Sequence, residues 1–212
     1  MILFNDIERE VKPFFEKARG SHDWSHVERV YKLCKLIAKK ENADLKVLKL
    51  AALLHDVGRL EEDESKGRIC HAERSSILAR KILKKHNVDK ETIERVIHCI
   101  ETHRKRKNKK PESIEARVFF DADKLDSIGA TGIGRLFLFA GEIGARLHNK
   151  KVDLEKQKMY SKDDTAFREF HASVRKIKDK MLTQEGKRIA EERHKFMIEF
   201  FNRLNDEVDG LK

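Results

Sequence analysis

The chain has 212 residues, 39% of them hydrophobic and 40% charged. At roughly 100–200 residues per domain this is one domain, 1–212, or one domain with a helical annex, and it is long enough to bury a core without disulfides. Lys and Arg number 47 against 37 Asp and Glu, a net charge of +10, which is compatible with a polyanionic partner and also with a solvated lysine-rich surface.

No apolar run approaches the ~20 residues that span a bilayer, which excludes a membrane span. The N-terminal segment carries Asp6, Glu8 and Glu10 where an export signal needs a basic and then an apolar region, so a cytoplasmic protein is expected. Cys34, Cys70 and Cys99 form no C-x-x-C pair and read as reduced thiols. Only 2 prolines are present, well under the usual ~5%, which favours an all-α fold over a loop-rich β protein.

In chain order, hydrophobic periodicity predicts a helix over 4–18, ended or kinked by Pro13. A second, 24–40, places Val27, Val30, Tyr31, Cys34, Ile37 and Ala38 on one face. Residues 44–56 are apolar nearly all round, as a buried central helix would be. Gly58 and the acidic stretch to 70, with Gly67 in it, predict a loop. Helices follow at 71–86 and 90–104, then a basic loop at 104–110, then a helix that Pro111 starts and that runs to Ile128. Segment 129–147 holds five of the ten glycines, each costing a helix about 1 kcal/mol relative to Ala, so tight packing or a bend is expected there. The polar stretch 148–164 predicts a loop, and 164–183 and 185–207 predict two closing helices.

The ten histidines matter by their placement. His26 lies in line with Val30, Leu33 and Ile37 on the buried stripe of its helix. His55 lies in line with Leu48, Ala51 and Ala52, and Asp56 follows it at once. His71 aligns with Ser75, Leu78 and Ile82. Asp123 shares a face with Ala116, Phe119 and Phe120, with Asp126 one turn on. A single inward histidine is most simply a satisfied core residue. Several at helix ends beside an Asp are costly to bury unless paired or bound to a metal, and imidazole with carboxylate is an ordinary ligand set for divalent cations.

The pattern His26, His55-Asp56, Asp123 resembles the H…HD…D signature of the HD-domain superfamily of metal-dependent phosphohydrolases. The apolar run Leu50–Leu54 before the pair, Gly58-Arg59 after it, and Asp123-Lys124-Leu125-Asp126 in an aromatic helix carry the likeness over about 20–130. Thr183–Phe201, with Gly186, Arg193 and Met197, is similar to the tail of small stand-alone prokaryotic members. The resemblance implies an HD-domain-like helical bundle with additional C-terminal helices, the extension beginning at about 131. It implies one divalent cation (Mn, Mg, Fe, Co, Ni or Zn) on His26, His55, Asp56 and Asp123. Two-metal members add two histidines between the HD pair and the last Asp. His71 fits the first, and His98 or His103 the second, with His103 preferred because it flanks the Ile93–Val96–Ile100 stripe.

On that reading Asp56 stands beside the attacking water, and Arg59 and Lys124 hold the phosphoryl oxygens as charge builds. Glu73 and Asp126 orient ligands. Glu62, Asp63 and Glu64 could supply a general acid or form a solvated acidic loop. The run Arg104, Lys105, Arg106, Lys107, Lys109, Lys110 could guide a polyanion or simply be solvated. The expected partner is a small phosphorylated substrate, a nucleotide by preference, and no membrane. A basic nucleic-acid-binding protein and a non-catalytic metal-stabilised module are the alternatives.

Overall fold

The computed structural model describes residues 2–18, 20–65, 68–104, 109–150 and 160–212. Gly67, the centre of the basic run (105–108) and most of the stretch expected as a polar loop (151–159) lie outside them. Among the described residues the protein is all-α, with ten α-helices, four short 3-10 turns and no strand. No described helix is long and apolar enough to cross a membrane. The chain divides into two compact units, Met1–Asp123 and Lys124–Lys212.

The first unit opens with α1 (Ile2–Val11), which gives way at Pro13 to a 3-10 turn, Lys12–Phe15. α2 (Trp24–Glu41) and α3 (Leu45–Leu54) are capped by Asp23 and Asp44, whose carboxylates accept main-chain N–H groups of the first turn. α3 buries Val47, Leu48 and all of Leu50–Leu54, the valine and the leucines contributing about 1.5–3 kcal/mol each, and packs against α1, α2, α5 and α6. It is the central helix that its all-round apolarity predicts.

α4 (Arg59–Glu64) is a helix where a loop is expected from the acidic sequence. Its residues are good helix formers, and Glu61 and Glu62 sit in the first turn, where the helix dipole favours negative charge. α5 (His71–Lys85) and α6 (Lys90–Thr102) follow. α7 (Ile114–Leu125) starts three residues after Pro111, because the Ser113 hydroxyl caps it by accepting Ala116 N–H at 3.1 Å.

The second unit takes the end of α7 and adds α8 (Gly129–Glu142), α9 (Ala166–Ala172) and α10 (Gln184–Val208). α8 packs against α9 and α10. The glycine-rich segment is therefore helical through residue 142. A Cβ at Gly132 would lie 2.4 Å from the Ser127 carbonyl oxygen, so part of its glycine content is a close backbone approach. The long helix expected at 164–183 breaks at Ser173 (φ −131°) into two 3-10 turns, Val174–Lys176 and Lys178–Lys180.

Candidate metal centre

Six inward-facing polar residues of the first unit converge from helix ends. His26 is in the first turn of α2, where its own N–H helps form the Asp23 cap. His55 caps the C-terminus of α3, and Asp56 follows in the tight turn to α4. That turn needs Gly58: a Cβ there would sit 2.8 Å from both Arg74 Cβ and Ser75 N. The glycine lets α5 approach, its N–H donates to Ser75 Oγ at 2.9 Å, and His71 at the start of α5 is thereby brought to Asp56. His103 caps α6, and Asp123 lies in the last turn of α7.

The six form two adjoining trios, His26–His55–Asp123 and Asp56–His71–His103, in each of which potential ligand atoms lie within 4.8 Å of one another. Asp56 faces both. Its Oδ2 is 3.9 Å from His26 Nε2 and 3.7 Å from His55 Nε2, while its Oδ1 is 3.3 Å from His71 Nε2. His26 Nε2 lies 3.6 Å from Asp123 Oδ1. The four histidines and Asp56 are each at most 2% exposed, and Asp123 is half-buried. Phe119 walls the cluster, its ring centroid 5.4 Å from that of His55 and 6.2 Å from that of His103.

Hydrogen bonding prepares these nitrogens for a cation. His55 Nδ1 meets the Ala52 carbonyl at 2.9 Å and His103 Nδ1 meets the Ile100 carbonyl at 2.6 Å. A carbonyl only accepts, so each Nδ1 carries the proton and each Nε2 a lone pair. His71 Nδ1 donates likewise to Glu62 Oε2. The Nε2 atoms of His71 and His103 are 3.0 Å apart, and those of His26 and His55 are 3.2 Å apart. In the first pair both nitrogens turn lone pairs to one point, which is repulsive unless a positive charge lies between them. The donor set therefore fits divalent cations, with imidazole and carboxylate in the mixture usual for Zn, Mn, Fe or Ni.

Local charge is arranged to match. Burial would raise the Asp56 carboxyl, but the charge of the Arg59 guanidinium, the largest opposing influence, outweighs it and the carboxyl lies well below the usual range. Glu62 is treated the same way: burial opposes ionisation, and hydrogen bonds from His71 and Arg104 more than reverse it. His71 is lowered by burial, which with Arg59 and Arg104 outweighs the upward pull of Asp56 and Glu62 and so favours the ring with its Nε2 lone pair available.

Residues 23–128 match the HD domain family. Over 196 residues the chain is 35% identical to YpgQ of Bacillus subtilis, covering 91% of this chain and 87% of that protein. The chain belongs to the HD-domain family. The crystal structure of Bacillus subtilis YpgQ in complex with ADP superposes on this HD-domain protein with a TM-score of 0.76 at 32% identity, covering 99% of this chain and 100% of that one. An HD-superfamily hydrolase from Bacillus thuringiensis superposes with a TM-score of 0.75 at 28% identity, covering 97% and 96%.

Within this HD domain Arg59 opens α4 beside the cluster, its Nη2 3.2 Å from Asp56 Oδ2. Lys124 follows Asp123 on α7 and is half-buried. His98 lies outside both trios, and its Nε2 accepts Glu112 N–H at 3.1 Å. The carboxylate that accepts from His71 is Glu62. Glu73 is half-buried on α5, and its main-chain carbonyl accepts from Ser76 Oγ. Asp126 pairs with Arg135 at 2.7 Å inside the second unit.

Two groups carry more than the sequence suggests. Glu62 is buried and also accepts the main-chain N–H of His71 at 3.0 Å. Arg104, the first residue of the basic run, donates to both Glu62 oxygens at 2.9 and 3.0 Å, and Lys109 pairs with Glu101 at 2.7 Å. These two members of the run are thus tied to carboxylates of the same unit. His22 packs edge-on to His26 with centroids 5.6 Å apart. The signal for Glu62 is the short helix itself: with 59–64 helical, Glu62 falls one turn past Arg59 on the same face.

Proposed function

We propose that the protein is a metal-dependent phosphohydrolase acting on nucleotides or related phosphate esters. The observation that carries this reading is the pair of buried His/Asp trios that Asp56 joins. His26, His55 and Asp123 would hold one divalent ion and His71 and His103 a second, with Asp56 serving both. Bound ions supply an acidified water and electrophilic pull on a phosphoryl oxygen. Asp56, held ionised by its neighbours, stays a ligand across the working pH range. Ala52, Ile100 and Glu62 fix the tautomers of three imidazoles so that no proton need be lost before ligation. Arg59 and Lys124 are the donors for the phosphoryl oxygens as negative charge builds. The α3 core and Phe119 keep water off the back of the site. The preference for a nucleotide rests on the ADP bound to YpgQ and on the basic charge of the chain.

The test combines metal analysis of the purified protein with a phosphate-release screen. Nucleoside mono-, di- and triphosphates, cyclic diesters and simple phosphomonoesters are offered with Mn²⁺, Mg²⁺, Co²⁺ and Ni²⁺. Metal-dependent release from nucleotides is the expected result. Protein that carries bound ion yet releases nothing from any phosphate ester would refute the reading.

A further inference from the structure

We propose that Arg59 and the second divalent ion compete for the same ligand atoms, so that binding of the ion expels the guanidinium and frees it for the phosphoryl group. This rests on reading the Asp56–His71–His103 trio as a metal site, and it assigns Arg59 a part in filling that site.

Arg59 Nη2 lies 3.3 and 3.2 Å from the two Asp56 oxygens and 3.3 Å from His71 Nε2. His71 donates its Nδ1–H to the Glu62 carboxylate, so its Nε2 offers a single lone pair. That lone pair can accept an N–H of Arg59 or ligate an ion, but it cannot do both. The Asp56 oxygens have lone pairs to spare, so the exclusive choice falls on His71 Nε2, while the guanidinium on both Asp56 oxygens crowds the place an ion would take. Two positive charges sharing these atoms would also repel at close range in a dry setting.

The guanidinium is held incompletely in this seat. Its Nε is buried and has no hydrogen-bond partner among the described residues, and such an orphan donor is rare without a functional reason. Its Nη1 is 3.9 Å from Glu62 Oε2, beyond hydrogen-bond reach, and its side chain keeps 18% exposure. Arg59 can therefore swing outward without leaving the site. In that position its planar fork suits the oxygens of a phosphoryl group. Occupation of the second trio and readiness of the phosphate ligand become one event.

The test is a Mn²⁺ titration of wild-type protein, Arg59→Met and Arg59→Lys, with free Mn²⁺ counted by electron paramagnetic resonance and heats measured in parallel. Methionine keeps the apolar stem and removes the charge, and circular dichroism checks that each variant is folded. The second ion should bind about 10–100-fold more tightly to Arg59→Met, the worth of one charge-assisted hydrogen bond. Arg59→Lys, still a competing cation, should stay near wild type. If Arg59 merely braces Asp56, Arg59→Met will bind the second ion with equal or lower affinity, which overturns the proposal while leaving the metal site standing. If the wild-type protein and both variants bind no divalent ion, the reading of the trios as a metal centre fails with it. Should Arg59→Met be unstable, Arg59→Gln is titrated by the same criterion.

Discussion

Glu62→Gln keeps the volume of a buried side chain and removes its charge. In the structure the Glu62 carboxylate takes the main-chain N–H of His71 at 3.0 Å, the Nδ1–H of His71, and Arg104 at 2.9 and 3.0 Å. A glutamine offers one acceptor oxygen and two N–H donors to neighbours that all donate, so His71 or Arg104 must lose its partner. Without a firm acceptor at Nδ1, the His71 proton can move to Nε2, the atom that faces His103 and Asp56. Losing such a supporting contact typically weakens metal binding 10–100-fold, about 1.4–2.8 kcal/mol at 1.4 kcal/mol per decade. The fold loses a charge-assisted hydrogen bond worth about 1.5–3 kcal/mol. Calorimetric titration with Mn²⁺ and thermal unfolding read the two effects separately. The loss should fall on the ion at Asp56–His71–His103, because the ligand that Glu62 holds directly is His71. Wild-type affinity for both ions in a folded Glu62→Gln protein would refute the reasoning, as would equal weakening at both positions.

Asp56→Ala removes the one carboxylate that faces both trios, so atomic absorption should find both ions depleted and phosphate release abolished; one full equivalent of tightly held ion would show that Asp56 is not shared. His103→Ala should lower metal content by about one equivalent while His98→Ala leaves it intact, since His98 is engaged with Glu112; the reverse pattern would overturn the trio. The metal-free protein should lose stability as pH falls from 7 to 5, read as the urea midpoint. Burial, and then the flanking Arg59 and Arg104, hold His71 below its usual value, so the unfolded chain takes up a proton near ~6.5 that the native protein refuses. Glu62 acts in the same direction lower down: its carboxyl is depressed, so its contribution is full above the unfolded value of ~4.3 and fades as pH falls towards the native one. A midpoint that is flat or rises on acidification would mean that His71 is protonated in the native state.

The sequence discloses the part of the site that coincides with helical stripes. His26 shares a face with Val30 and Ile37, His55 ends the all-apolar α3, and Asp123 follows Phe119 and Phe120, so helical spacing alone turns each of them inward. Glu62 is hidden because a run of acidic residues ordinarily faces water. What buries it is Arg104, 42 residues away, and His71, nine away, and such a meeting depends on the angles between α4, α5 and α6. Gly58 is hidden for a similar reason. A lone glycine after a helix reads as a loop signal, whereas here its missing Cβ is the space into which Arg74 and Ser75 pack. Pro111 misleads in the other direction, because the Ser113 hydroxyl is the stronger helix start.

The charge carried by the cluster explains why its arginines stand where they do. With neutral imidazoles, the carboxylates of Asp56, Glu62 and Asp123 face two guanidiniums, Arg59 and Arg104, which leaves the protein groups with one net negative charge. A phosphate approaching such a cluster gains nothing from the two arginines, because each is held by a carboxylate. Two divalent ions would reverse the local sign to strongly positive in a setting where burial weakens screening. Arg104 would stay with Glu62, which needs it to remain ionised beside His71. Arg59 has no such tie, since its carboxylate partner Asp56 is the group with most to gain from an ion. The same loading step that makes the site attractive to a polyanion therefore releases Arg59 towards it, and substrate affinity becomes conditional on metal.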